Sequence, residues 1–158
     1  MAEIRPELTE VPDRQLRMIS FFLEKELFGF EIKYISQVIE PGKLAFVPRA
    51  PFFLKGVLNY RGKVIAVMDL AQFFGMKMKE LDPESRVLIL DPSQCGAELR
   101  LGFLVERVER IETVPAHRAI SKLEGEKPYV SGVVNLGGRI FNVINLEKLL
   151  KEIEGYFG

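Results

Sequence analysis

The sequence predicts an all-β protein built from two copies of one small five-stranded barrel. Three observations carry that prediction. From Leu16 onward, short segments rich in β-branched and aromatic residues alternate with turn signals, the pattern of many short strands. Helical spacing of apolar residues is confined to two short stretches. The third observation is a repeat. Residues 56–70 recur at 132–146, an offset of 76, with six identities in fifteen positions and most others keeping their chemical type.

Residues 1–14 carry Pro6, Pro12 and several charges without periodicity, and read as a flexible lead-in to a folded body over 15–158. Strands over 16–23 and 27–32 flank Glu24-Lys25-Glu26, a hairpin turn. Further strands are expected over 34–40, 44–47, 56–60 and 63–68, and a second set over 86–90, 98–106, 108–114, 130–136 and 139–144. Asp69 and Asn145 are read as helix N-caps, because a short polar side chain there accepts from an otherwise unpaired backbone N–H. The first helix covers 70–74 and is stopped by Gly75. The second runs from Leu146 to about Phe157, with Leu146, Leu149, Leu150 and Ile153 on one face, and packs on the barrel body.

The repeated unit is thus strand, turn, strand, capped helix. Asn59 and Gly62 recur as Asn135 and Gly138, so these residues answer to turn geometry, the glycines supplying a positive φ. Arg61, by contrast, has Gly137 as its counterpart, so the turn does not require an arginine. At a hairpin tip beside Tyr60, its planar fork is a candidate for directional contacts with a partner; the plainer reading is a solvated charge. A weaker echo lies upstream. Gly29-Phe30-Glu31-Ile32 resembles Gly102-Phe103-Leu104-Val105 at an offset of 73, with Ile35 and Val38 matching Val108 and Ile111. The two halves fall at roughly 15–80 and 81–158, with exchange of strands between them left open. Closing each sheet into a barrel removes edges that short strands would otherwise expose.

Composition narrows function mostly by exclusion. Lysine plus arginine and aspartate plus glutamate each count 22, so no basic excess marks a nucleic-acid or membrane-surface binder. Cys95 is the one cysteine and His117 the one histidine, which leaves no disulfide, no cysteine cage and no nucleophile–base pair with a visible partner. Cys95, within 91–96, reads as a bystander thiol in a hairpin turn. Neither G-x-G-x-x-G nor a Walker loop is present, Asp69 lacks companion acids, and Glu124 and Glu126 read as a solvated loop. The first residues lack a signal-peptide core and the apolar runs are short, so the expected setting is the cytoplasm. The expectation is a binding protein with no catalytic site, no metal and no cofactor. A small barrel holding single-stranded nucleic acid through its twelve phenylalanines is the alternative from another class, and zero net charge argues against it.

The run from Ile32 to Glu40, then Val47-Pro48, then Gly56-Val57-Leu58-Asn59-Tyr60-Arg61-Gly62 with Asp69-Leu70 trailing, resembles the CheW family. The run from Leu101 to Val108, and Gly138-Arg139 through Leu146, resemble its second half, so the likeness spans roughly 16–153. The resemblance implies two five-stranded SH3-like barrels around a shared apolar seam. It also implies a non-catalytic adaptor of bacterial chemotaxis, held in receptor arrays at the inner face of the membrane. The expected partners are the regulatory domain of the histidine kinase CheA and the cytoplasmic hairpin tip of a chemoreceptor, the latter taken helix-in-groove. By position, that groove is lined by Ile19, Ile32, Ile35 and Val105 with Val38 nearby, and Arg61 matches the family's coupling arginine. An adaptor of a non-flagellar chemosensory pathway is the alternative within the same scaffold. Tyr60 stands where leucine is common in the family and Asn145 where aspartate is common.

Overall fold

A computed structural model describes residues 15–77, 80–95, 100–115 and 129–157. The lead-in, Glu98, His117, Glu124 and Glu126 lie outside them. Ten strands follow one another: β1 (Gln15–Leu23), β2 (Glu26–Glu31), β3 (Ile35–Ile39), β4 (Leu54–Tyr60), β5 (Lys63–Asp69), β6 (Arg86–Leu90), β7 (Leu101–Val105), β8 (Arg107–Pro115), β9 (Val130–Leu136) and β10 (Arg139–Ile144). Three helices intervene: α1 (Leu70–Phe73), α2 (Pro92–Cys95) and α3 (Leu146–Glu154), and a 3-10 turn over Ile32–Tyr34 leads into β3.

The strands form two five-stranded sheets, in the orders β8-β1-β2-β10-β9 and β3-β6-β7-β5-β4. Neither comes from a continuous half of the chain. The first takes its opening hairpin from residues before Ile32 and its other three strands from residues after Glu106, while the second is built from everything between. The join is parallel in both, and Gly29 of β2 faces Val143 of β10 as Gly102 of β7 faces Val67 of β5. These pairs are related by the two offsets read in the sequence, 73 and 76. The echoed glycines sit where strands crowd. A Cβ on Gly29 would lie 2.9 Å from the Ile19 carbonyl oxygen, and one on Gly102 would lie 2.7 Å from Val87 Cγ1, inside van der Waals contact.

Each sheet curls around its own apolar interior. In the first, Met18, Leu27, Val114, Val134, Phe141 and Val143 meet, one or more from every strand. In the second, Leu58, Ile65, Val67, Val87, Ile89 and Leu104 meet, with Ile39 packed against them. The opposite faces share a third and larger core that includes Phe21, Phe28, Phe30, Phe103, Leu88 and the buried face of α3. Phe30 and Phe103 are equivalent under the offset of 73 and touch edge-on, ring centroids 6.0 Å apart. Equivalent residues in mutual contact lie on the axis relating the two barrels, so a pseudo-twofold passes between these rings.

The repeat is reproduced in hydrogen-bond detail. Gly62 N–H donates to Asn59 Oδ1 at 3.1 Å, and Gly138 N–H to Asn135 Oδ1 at 3.0 Å. Asp69 Oδ1 accepts from Gln72 N–H at 3.1 Å, and Asn145 Oδ1 from Lys148 N–H at 3.1 Å. Ahead of each cap, Phe53 and Tyr129 accept from the cap's own N–H at 2.7 Å.

Four expectations need correction. The strand expected over 44–47 reduces to one bridge, Ala45 to Val57, because Pro41 and Pro48 bracket the segment and Arg49 at φ 61° turns the chain away. The strand expected from residue 34 begins at Ile35, after the 3-10 turn. The turn expected around Cys95 is a one-turn helix, α2: Asp91 accepts from Ser93 N–H at 3.0 Å and Ser93 Oγ at 2.8 Å, and proline stands at the first helical position. Finally, α3 is regular only to Glu154; beyond it the chain tightens into turns in which Tyr156 N–H donates to the Ile153 carbonyl and Phe157 N–H to that of Glu154, and the Tyr156 ring packs 5.0 Å from the Phe53 ring.

Candidate functional site

Among the described residues, strand β3 is an edge strand with no strand paired on its outer side, and its side chains reach the rim of the shared core. Ile35 pairs with Leu90 and Val38 with Leu88, and both partners belong to that core. A bulge between Ile35 and Gln37 restores the register after one extra residue, which keeps Ile35 and Val38 on the core-side face despite their spacing of three. Ile32, on the 3-10 turn, and Ile35 are half-buried against the core, and Val38 is 41% exposed.

The five residues expected to line a groove do not share one environment. Ile32, Ile35 and Val38 reach the surface, whereas Ile19 and Val105 are 1% and 2% exposed. Those two lie inside the shared core, where they support the rim without offering a partner any area. Val105 is held there because β7 is flanked on both sides, by β6 and β5. Ile19 lies in β1 between β8 and β2.

The pseudo-twofold adds two residues. Edge strand β8 carries Val108, half-buried against the same core, and Ile111, 48% exposed. Ile111 pairs with core residue Ile19 as Val38 pairs with core residue Leu88. The signal for Val108 and Ile111 was the upstream echo, which aligns them with Ile35 and Val38. The two barrels thus present matching apolar rows on matching edges.

At the tip of the β4–β5 hairpin, Arg61 has φ 53° and Gly62 φ 78°, the left-handed pair of a type I′ turn. The corresponding Gly137 and Gly138 have φ 59° and 90°. The Arg61 guanidinium lies 5.0 Å from the centre of the Tyr60 ring, within cation–π range. Tyr60 and Arg61 line a notch of about 180 Å³ with Ser36, Lys63, Ile65, Ile89, Leu90, Pro92 and Arg100. Asn59, Gly62, Asn135, Gly138, Asp69 and Asn145 hold turns and caps, as their hydrogen bonds require.

Among the described residues, titratable groups show no arrangement of paired acid and base. Burial pushes the Cys95 thiol up to about 11, with Asp91 adding to the effect, so the sulfur is a poor nucleophile at neutral pH. Burial also raises the Asp69 carboxyl above its ordinary value, against the opposing pull of the Gln72 N–H and Lys55. Among the described residues, no group of three or more histidine, cysteine, aspartate or glutamate side chains could hold a metal ion. No helix among them is long and apolar enough to cross a membrane.

Known proteins match over nearly the whole chain. The profile of the CheW-like domain matches residues 17–154. The chemotaxis protein CheW of Thermotoga maritima is 26% identical over 144 residues, covering 89% of this chain and 91% of that protein. The chemotaxis protein CheW of Treponema pallidum is 25% identical over 150 residues, covering 91% and 87%. The crystal structure of the scaffolding protein TtCheW from Thermoanaerobacter tengcongensis superimposes with a TM-score of 0.73 at 23% identity, covering 83% of this chain and 89% of that one, a likeness of fold. Two SH3-like barrels that exchange strands about a pseudo-twofold, together with a profile match from residue 17 to residue 154, place this chain in the CheW-like domain family.

Proposed function

We propose that the protein is a non-catalytic adaptor of bacterial chemotaxis signalling that couples transmembrane chemoreceptors to the histidine kinase CheA. The observation that carries this reading is the family match over 17–154, with relatives of comparable length named as chemotaxis proteins. The arrangement suits the task. An adaptor needs surfaces for two proteins at once, and here each barrel carries an edge strand with apolar side chains at its rim.

The receptor surface is assigned to Ile32, Ile35 and Val38 on the β3 side, backed from inside by Ile19 and Val105. An amphipathic helix of a receptor hairpin would lay its apolar face on this rim. The kinase is met barrel to barrel through its regulatory domain, and Arg61 and Tyr60 at the hairpin tip are residues that couple receptor and kinase. The working location is the receptor array at the inner face of the membrane.

The test is a binding titration of the purified protein against a receptor hairpin-tip fragment and against the CheA regulatory domain from the same organism. Ile35→Asp places a charge on the apolar rim and is expected to weaken receptor-tip binding by about 2 kcal/mol or more, the loss typical of a central anchor. The same variant is expected to keep its affinity for the kinase domain. Full-strength receptor binding by a folded Ile35→Asp protein would refute the assignment of this rim.

A further inference from the structure

The notch behind the β4–β5 hairpin has a chemistry that the apolar rim does not share. Its wall carries three cations, Arg61, Lys63 and Arg100, over a floor that includes Ile65, Ile89, Leu90 and Pro92. Among the described residues, none of those lining it is acidic. Among the described residues, none of the three cations makes an ion pair, and Arg61 packs against the Tyr60 ring. Three exposed cations around one concavity, with no acid among its described lining residues, favour an anion that enters.

Comparison of the two barrels supplies a second observation. Arg61 occupies a left-handed conformation, as Glu24 and Arg49 do, and the same turn in the other barrel assigns that conformation to Gly137. The turn itself therefore does not call for an arginine at its tip. The corresponding place in the second barrel has no such wall. Arg61 becomes glycine there, and Arg139, the counterpart of Lys63, is turned inward onto Glu112 at 2.7 Å. The cationic notch therefore belongs to one barrel and is not a consequence of the repeated fold.

We infer that this notch is a receiving site for an acidic side chain, glutamate or aspartate, presented by a partner protein, with Arg61, Lys63 and Arg100 gripping the carboxylate and the apolar floor covering its methylene stem. The Arg61 fork is suited to a two-point grip on a carboxylate, and Lys63 and Arg100 add charge from either side. Position fits a docking role. Ser36, which lines the notch, is on β3 next to Ile35, so an acidic residue flanking an apolar segment could be held while that segment lies on the rim. The inference rests on the adaptor reading only in taking the ligand to be a protein.

The experiment is a titration of the isotope-labelled full chain, followed by amide chemical shifts, with the peptide acetyl-Gly-Glu-Glu-Leu-Gly-amide at low salt. The matched glutamine peptide, inorganic phosphate and a single-stranded oligouridine serve as comparators. The glutamate peptide is expected to shift the amides of Ser36, Tyr60, Arg61, Lys63 and Arg100 saturably, and the glutamine peptide is expected to leave them in place. Arg61→Gly installs the residue that the second barrel uses in this turn, so the fold is kept while the fork is lost. It is expected to weaken peptide binding by about fivefold or more, the loss of one charge-assisted contact. Lys63→Gln and Arg100→Gln are expected to act in the same direction. The proposal is overturned if the peptide produces no saturable shift there or if Arg61→Gly binds it as tightly. It is also overturned if phosphate or the oligonucleotide saturates the notch while the peptide does not. Failure of the peptide with retained binding of the CheA regulatory domain would remove this site and leave the adaptor reading standing.

Discussion

At position 61 the first barrel keeps an arginine in a backbone conformation that its copy gives to glycine. A left-handed residue with a side chain costs about 1 kcal/mol, roughly offset on mutation by the extra freedom glycine has when unfolded. Arg61→Gly is therefore expected to melt within a few degrees of the parent, and a large drop would show that the side chain serves the fold. Position 69 offers the opposite comparison. Asp69 and Asn145 make the same cap with the same 3.1 Å bond, so the cap does not need a charge. Burial raises the folded-state pKa of Asp69, which means the native state holds its proton to higher pH than the unfolded state does. Its contribution to stability is then fully present below the ordinary aspartate value and is lost as pH rises through the raised one. Asp69→Asn is expected to be at least as stable as the parent at pH 7, with the difference shrinking as the solution is acidified past that window. Denaturant melts across that pH range are the check, and a variant less stable at pH 7 would contradict it.

Strand β10 illustrates what an element adds to its residues. It hydrogen-bonds to β9 and β2 and not to β8, yet Arg139 at its start reaches β8, with Nη1 2.7 Å from Glu112 and Nη2 3.4 Å from Glu109. These pairs tie together strands that the ladder leaves apart. Glu112 is largely buried, and its second oxygen has no hydrogen-bond partner among the described residues. Arg139→Met is expected to cost about 2–3 kcal/mol by stranding that carboxylate, and the double change Arg139→Met with Glu112→Leu to recover most of it. Thermal melts of the three proteins decide the point: a double variant as unstable as the single one would mean that packing, not charge, is at issue. The same scale separates what could be read in the sequence from what could not. The capped hairpins were legible because turn, cap and helix are local and appear twice. The helix at Pro92 was missed although Asp91, Pro92 and Ser93 signal its start, because one turn contains no periodicity to detect.

For the whole molecule, the decisive event is the exchange of strands. Two offsets could be read in the sequence, and they made two copies of one unit legible, but sequence likeness does not say which copy a strand joins. The pairing of β2 with β10 and of β7 with β5 is set by long-range packing around Gly29, Gly102, Phe30 and Phe103. Burial of Ile19 and Val105 follows from the same packing, which is why position alone assigned them to a groove while the structure encloses them. A division near residue 80 separates partners in both sheets. Fragments 1–80 and 81–158 are accordingly expected to show no cooperative melting when prepared singly and to regain it when mixed. A well-dispersed amide spectrum from either fragment alone would contradict the exchanged architecture.

The proposed role asks for two proteins to be held together, and sedimentation of the purified chain with the CheA regulatory domain and a receptor hairpin-tip fragment tests that most directly. The expected result is one faster boundary containing all three, with the receptor fragment alone lost from it in Ile35→Asp. Displacement of one partner by the other, or a boundary that contains neither, would contradict the adaptor account.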